Sequence, residues 1–177
     1  MAPRSLRNVR VIAVAVTSAL VLMSTAPAYA RQVADVQVKA AFLFNFSKFV
    51  QWPASPDRPL VIGIAGDKPL ADVLAATVKG RTVNGRAVEV RVLEITDRPD
   101  GCDVLHVGGG NDVDQAAMLA RASGPMLTIG QTPQFLRSGG MIRIFFEGQR
   151  LRFQVNLRQT DAAGIRLSSQ ALSLAVK

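Results

Sequence analysis

The chain reads as an α/β protein: a three-layer sandwich built on a mostly parallel sheet, with a C-terminal antiparallel hairpin at the sheet edge. Three observations point there. Short apolar runs recur at Leu60–Ala65 (LVIGIA), Asp103–Val107 and Met126–Ile129, the length and composition of buried strands, and Ala87–Leu93 alternates apolar with charged residues as a strand wet on one side does. Segments with helical periodicity separate them, and strand–helix alternation demands helices on both faces of a parallel sheet. Last, SGGMIRIFFEGQRLRFQV (Ser138–Val155) alternates around Gly148-Gln149, the mark of a two-residue hairpin loop.

The elements follow in order. Arg4, Arg7 and Arg10 form a positive leader, Val11 to Met23 is apolar apart from Thr17 and Ser18, and Ala28-Tyr29-Ala30 is a small-x-small cleavage site. Residues 1–30 are therefore expected to be a signal peptide removed after Ala30, leaving 31–177 as one exported domain. The alternative is an uncleaved anchor, for which the apolar stretch is short. Val36 to Val50 has helical periodicity, with Trp52-Pro53 placed to stop the helix and plug one end of the core. Pro69 to Val78 is a helix with Asp67 as cap. Asn84-Gly85 marks a turn inside Arg81–Arg86. Asp112 to Ala122 is a helix opened by Asn111 or Asp112, and a short helix is expected around Gln134 to Arg137. One or two helices close the chain.

Charge and cysteine usage bound the partners. The sequence holds 21 Lys+Arg and 13 Asp+Glu; removing the three leader arginines leaves 18 against 13, a net charge of +5. The positive charge is spread rather than clustered, and no basic run with interleaved aromatics suggests nucleic-acid binding. Cys102 is the only cysteine, so no internal disulfide exists; it reads as a small core residue, with an intermolecular bridge as the other reading.

Motifs for chemistry are missing. His106 is the only histidine and lies inside the VLHVG strand, so neither a histidine metal cluster nor a Ser-His-Asp triad can be built, and no cofactor motif occurs. The strand-end loop Gly108-Gly109-Gly110-Asn111 could offer backbone amides to an anion, or could simply make a tight turn. We expect no enzyme, no metal and no cofactor.

The informative side chains are apolar residues that periodicity leaves pointing outward. Phe42, Leu43, Phe46, Phe49 and Val50 share one arc of the first helix, an ordinary core face. Phe44 falls opposite, near Lys48 and Gln51. Either it is an exposed self-association or partner contact, or the helix is buried on two sides. In the hairpin, Glu147 faces Arg150, Phe146 faces Leu151, Phe145 faces Arg152 and Ile144 faces Phe153. One face then holds Ile142, Ile144, Phe146, Leu151, Phe153 and Val155. The other holds Met141, Arg143, Phe145, Arg152, Gln154 and Asn156. A Phe among arginines on a polar face is a candidate partner-binding anchor; the alternative is a solvated face partly covered by the C-terminal helix.

Two blocks carry a family resemblance: KAAFLFNFSKFVQWP (Lys39–Pro53) and SGGMIRIFFEGQRLRFQVNLRQTDAAGIRLSSQALSLA (Ser138–Ala175). A Phe-rich helix ending in Trp-Pro, a Gly-Gly-led hairpin and a Gly-Ile-x-Leu-Ser-Ser tail resemble the YfiR family. The resembling positions are Phe42, Phe46, Phe49, Trp52, Gly139, Gly140, Phe153, Asn156, Gly164, Ser168 and Ser169, most of them structural. The resemblance implies a Rossmann-like core, a tendency to dimerise, and a periplasmic repressor of a membrane-bound diguanylate cyclase that lowers cyclic di-GMP and biofilm formation. Some members carry further cysteines that pair; this chain lacks them. Expected partner contacts are Phe145, Arg143, Arg152 and Gln154 on the hairpin, with Arg166 and Leu172 in the tail. Phe44 and Lys48 are dimer or partner candidates. The rival function is a periplasmic receptor for a nucleotide or amino acid held by Gly108–Asn111.

Overall fold

The computed structural model describes residues 26–53 and 57–176. The elements run α1 (Ala26–Ser47), β1 (Val50–Gln51), β2 (Leu60–Ala65), α2 (Lys68–Val78), β3 (Thr82–Val83) and β4 (Arg86–Leu93). They continue β5 (Val104–Val107), α3 (Asp112–Arg121), β6 (Leu127–Gly130), α4 (Pro133–Arg137), β7 (Ile142–Glu147) and β8 (Arg150–Val155). The chain closes with α5 (Leu157–Ala162), β9 (Arg166–Leu167) and α6 (Ser169–Leu174).

Seven strands form one sheet in the order β3-β4-β2-β5-β6-β7-β8. The five inner strands are parallel, and the outer pairs β3–β4 and β7–β8 are antiparallel. The chain moves from β2 to one neighbour, β4, then crosses back to the other, β5. That reversal is the topological switch point of a doubly wound, Rossmann-like sheet. The mostly parallel α/β architecture with its hairpin at the edge is thus the one expected from the strand spacing.

Alternation along the strands divides the core into two layers. Leu60, Ile62 and Ile64 of β2, with Val104 of β5 and Ile129 of β6, pack against Ala40 and Leu43 of α1 and Leu70 and Leu74 of α2. Their neighbours Ala65, Leu105 and Val107 point the other way, against Met118 of α3 and Phe135 of α4. Continuous apolar runs were needed at β2, β5 and β6 because both sides of those strands are dry, whereas β4 and β7 each keep one face partly open.

Local chemistry sets the helix boundaries. Asp67 accepts from the Leu70 amide at 3.2 Å to cap α2. Asn111, not Asp112, caps α3: it accepts from the Val113 and Asp114 amides, and Asp114 reaches back to complete a capping box. Asp112 instead accepts from the Thr132 hydroxyl at 3.1 Å. Asn156 caps α5 through the Gln159 amide, the turn-capping bond expected after β8.

Three differences from the sequence reading concern the first helix and its exit. The segment read as a signal peptide lies outside the described residues up to position 25, and Ala26–Ala30 belong to α1. The helix begins ten residues before Val36, because Pro27 is tolerated in a first turn and the residues after it carry no breaker. It ends at Ser47, whose hydroxyl donates back to the Leu43 carbonyl, while Lys48 and Phe49 tighten the exit with amide bonds to Asn45 and Phe46. Trp52-Pro53 therefore does not stop the helix. Val50-Gln51 forms a short antiparallel ladder with Leu167-Arg166, joining the two ends of the domain. Trp52 is half-buried and donates to the Asp103 carbonyl at 3.4 Å.

Candidate functional site

The β7–β8 hairpin has the register read from its sequence: Glu147 opposite Arg150, Phe145 opposite Arg152, Arg143 opposite Gln154. Gly148 takes φ +62° at the first loop position, as a type II′ turn requires. Strand alternation puts Phe145, Arg143, Arg152 and Gln154 together on one face. They are all half-buried. The Arg143 guanidinium lies 4.5 Å from the Phe145 ring centre and donates to Gln154 Oε1 at 3.0 Å and to the Gln131 carbonyl at 3.3 Å. Arg152 donates to Glu147 Oε2 at 3.1 Å. These bonds hold the arginines flat and preorganised, with donors left over for an acceptor outside the chain.

The opposite face of the hairpin is core. Phe153 meets Phe42 and Phe46 of α1 with ring centres 5.6 and 5.2 Å apart, and Phe42 stacks on Phe46 at 5.1 Å. Three family-like aromatics, distant in sequence, therefore make one cluster. Met141, just before β7, packs with this layer rather than with Phe145.

A groove of about 290 Å³ opens on the aromatic cluster, between α1, β8 and α6, with Val38, Phe42, Phe153 and Leu174 among its walls. Val38 and Leu174 are exposed on its rim. Periodicity alone does not reveal this groove, since it depends on where α6 folds back. α6 lies on the α1 side, beside Phe42 and Phe153, and not over Phe145.

The other sequence-derived residues separate. Leu172 is exposed on α6, and Arg166 is exposed in β9 opposite Gln51, both away from the Phe145 face. Arg166 helps line a second depression with Trp52 and Asp161. Phe44 is buried at 3% exposure, which corrects its reading as an outward-facing contact. It has Lys48 4.2 Å and Arg81 5.3 Å from its ring centre, so the helix is buried on two sides here, while Lys48 and Arg81 reach solvent.

The Gly108–Asn111 loop sits at the switch point, where a doubly wound sheet holds a ligand. Here the glycines serve close backbone approach: a Cβ on Gly66 would lie 2.8 Å from Gly109 Cα. The Gly108 and Gly109 amides both donate to the Ala65 carbonyl, at 2.9 and 3.3 Å, and the Asn111 side chain is used by the α3 cap.

Two buried polar groups complete the picture. Asp103 is 4% exposed and accepts from Arg58 Nη1 and Nη2, Arg86 Nη2 and the Val61 amide, all within 2.8–3.0 Å. It ties the start of β5 to β2 and β4. Cys102 is buried beside Arg91, whose Nη2 lies 3.0 Å from Sγ; desolvation nevertheless pushes the thiol pKa up. Among the described residues no group of three or more metal-ligating side chains occurs, and no helix is long and apolar enough to cross a membrane.

The chain matches no curated protein. Its residues 36–176, from the body of α1 through α6, match the family described as YfiR/HmsC-like, whose members are regulatory rather than catalytic. With the Phe42–Phe46–Phe153 cluster, the Gly-Gly-led hairpin and the capped Asn156 turn all inside the matched span, the chain belongs to the YfiR/HmsC-like family.

Proposed function

We propose that this protein is a periplasmic repressor: it binds the sensor region of an inner-membrane diguanylate cyclase and holds cytoplasmic cyclic di-GMP synthesis, and with it biofilm formation, low. The observation that carries the reading is the family match over the whole α/β domain. The signal-like leader supports export. The Arg143–Phe145–Arg152 face supports a protein partner, because a rigid aromatic flanked by oriented guanidinium groups is the kind of surface that dominates interface energetics. In this reading Lys48 lies near a homodimer contact.

The mechanism is linkage. A repressor that prefers the cyclase's off-state holds it off by the difference in affinity for the two states. Moving the population from mostly on to mostly off takes about 5.5 kcal/mol of preference. Two or three buried aromatic and arginine anchors at about 2 kcal/mol each reach that range.

Calorimetric titration of the purified protein with the periplasmic region of a membrane diguanylate cyclase from the same cell tests the proposal. Saturable binding that weakens at least tenfold in a folded Phe145→Glu/Arg152→Glu variant is the expected result. Binding that is equally tight in that variant removes the hairpin from the interface, and the absence of binding to every such region removes the repressor.

A further inference from the structure

His106 is a buried titratable group that the proposed function does not use. It lies mid-sheet on β5, in register with Ile64 of β2 on one side and Ile129 of β6 on the other. It shares the face of Val104, so its ring points into the layer filled by α1 and α2. The residue is 0% exposed, and neither Nδ1 nor Nε2 has a hydrogen-bond partner among the described residues. A neutral imidazole has one donor and one acceptor, so both are unmet, in a layer that an apolar residue would fill at no such cost.

The charged groups around it are few. On α1, Lys39 projects a positive field onto the ring. At the start of α2, Asp67 is the facing carboxylate: a Cβ on Gly108 would lie 3.0 Å from Asp67 Oδ2 and 3.1 Å from His106 Nε2. Asp67 Oδ1 is engaged by the Leu70 amide, and Asp67 makes no hydrogen bond to the ring. The flanking strands offer only Ile64 and Ile129. Burial first, then Lys39, lowers the ring's pKa from 6.5 to about 3.

An imidazolium formed here must reach water, and the topology sets the route. α2 is tethered at both ends inside the β2–β4 crossover, whereas α1 lies outside the seven-strand ladder and can lift away without breaking a strand pair. We propose that His106 is a buried proton sensor whose protonation unseats residues 36–47 of α1 from the sheet while the strand–helix body stays folded. In the lifted state the ring is solvated and binds a proton at its ordinary value; in the seated state it does not. Acid therefore favours the lifted state, beginning as pH falls below about 6.5, with the opening constant rising about tenfold per pH unit.

Hydrogen exchange of the purified protein between pH 7 and 4.5, corrected for intrinsic rates, tests this. The expected result is a loss of protection of about 50-fold in α1 amides between pH 6.5 and 4.5. Amides of α3 and β6 should hold, and His106→Leu should show no such pH dependence. Unchanged α1 protection, equal loss in α1 and β6, or the same pH dependence in His106→Leu overturns the proposal. Should that variant fail to fold, the wild-type ring decides alone. His106 is the only histidine, so its imidazole NMR signal is unambiguous. Titration near 6.5 in a protein whose α1 stays protected overturns the sensor, as does a ring that stays neutral while α1 stays protected down to pH 4.5; a ring that titrates in step with the loss of α1 protection supports it.

Discussion

Removing the charge of Asp103 tests whether the buried ionic node at the start of β5 holds the sheet together. The carboxylate side chain is 6% exposed and receives four donors, and its better-buried charged partner, Arg86, has a side chain only 9% exposed. Arg58 is 40% exposed, so its share is screened and discounted. In Asp103→Asn one carboxylate oxygen becomes an NH₂ facing donors, and the Arg86 guanidinium keeps its charge without a counter-charge. Breaking a buried pair costs about 3–5 kcal/mol; the low end applies, because Arg86 still donates to the Arg58 and Pro59 carbonyls. We predict a loss of about 3 kcal/mol, or roughly 10 °C in Tm for a domain of this size. Urea unfolding followed by circular dichroism and by the fluorescence of Trp52, whose indole donates to the Asp103 carbonyl, reads both the global and the local effect. Asp103→Leu with Arg86→Met should recover part of the loss, since it removes the better-buried ion pair but leaves the Arg58 guanidinium and the Val61 amide without their acceptor. A loss under about 0.5 kcal/mol in Asp103→Asn would mean the node is worth no more than a surface ion pair, and would refute the reasoning.

Further expectations are independent of that node. Phe145→Glu/Arg152→Glu should change folding stability by under about 2 kcal/mol, because it breaks the exposed Arg152–Glu147 pair and the Arg143–Phe145 ring contact; a cooperative melt far below the wild type would show the face to be structural. Gly140→Ala should destabilise by about 1–3 kcal/mol, since a Cβ there overlaps the Phe135 ring, and adding Phe135→Leu should restore part of the loss in the same melt. The Cys102 thiol, buried and held protonated by desolvation, should react with a thiol reagent at pH 8 at least tenfold more slowly than in denaturant; equal rates would contradict its burial.

The sheet and the hairpin register were legible in the sequence because they depend on short-range pattern. LVIGIA has to be a strand dry on both sides, and Gly148-Gln149 fixes every pair from Glu147–Arg150 back to Ile142–Val155. Asn84-Gly85 likewise marked the turn that joins β3 to β4, with φ of 51° and 82°. What a wheel or an alternation count leaves open is which third element arrives on each face. Phe44 looked outward on the helix, yet Lys48 and Arg81 close over its ring. The β1–β9 ladder pairs residues more than a hundred positions apart in two-residue strands, too short for any periodicity. The groove beside Phe42 and Phe153 exists only because α6 returns to α1. At the hairpin, sequence alternation grouped Phe145 with Arg143 and Arg152, but only the fold separates them from Arg166 and Leu172.

Repression of a membrane cyclase is the central claim, and cellular cyclic di-GMP tests it most directly. Deleting the gene for this chain should raise the nucleotide several-fold. Restoring the exported wild-type protein should lower it, and the Phe145→Glu/Arg152→Glu variant, at equal abundance, should not. A cyclic di-GMP level unmoved by deletion would contradict the account.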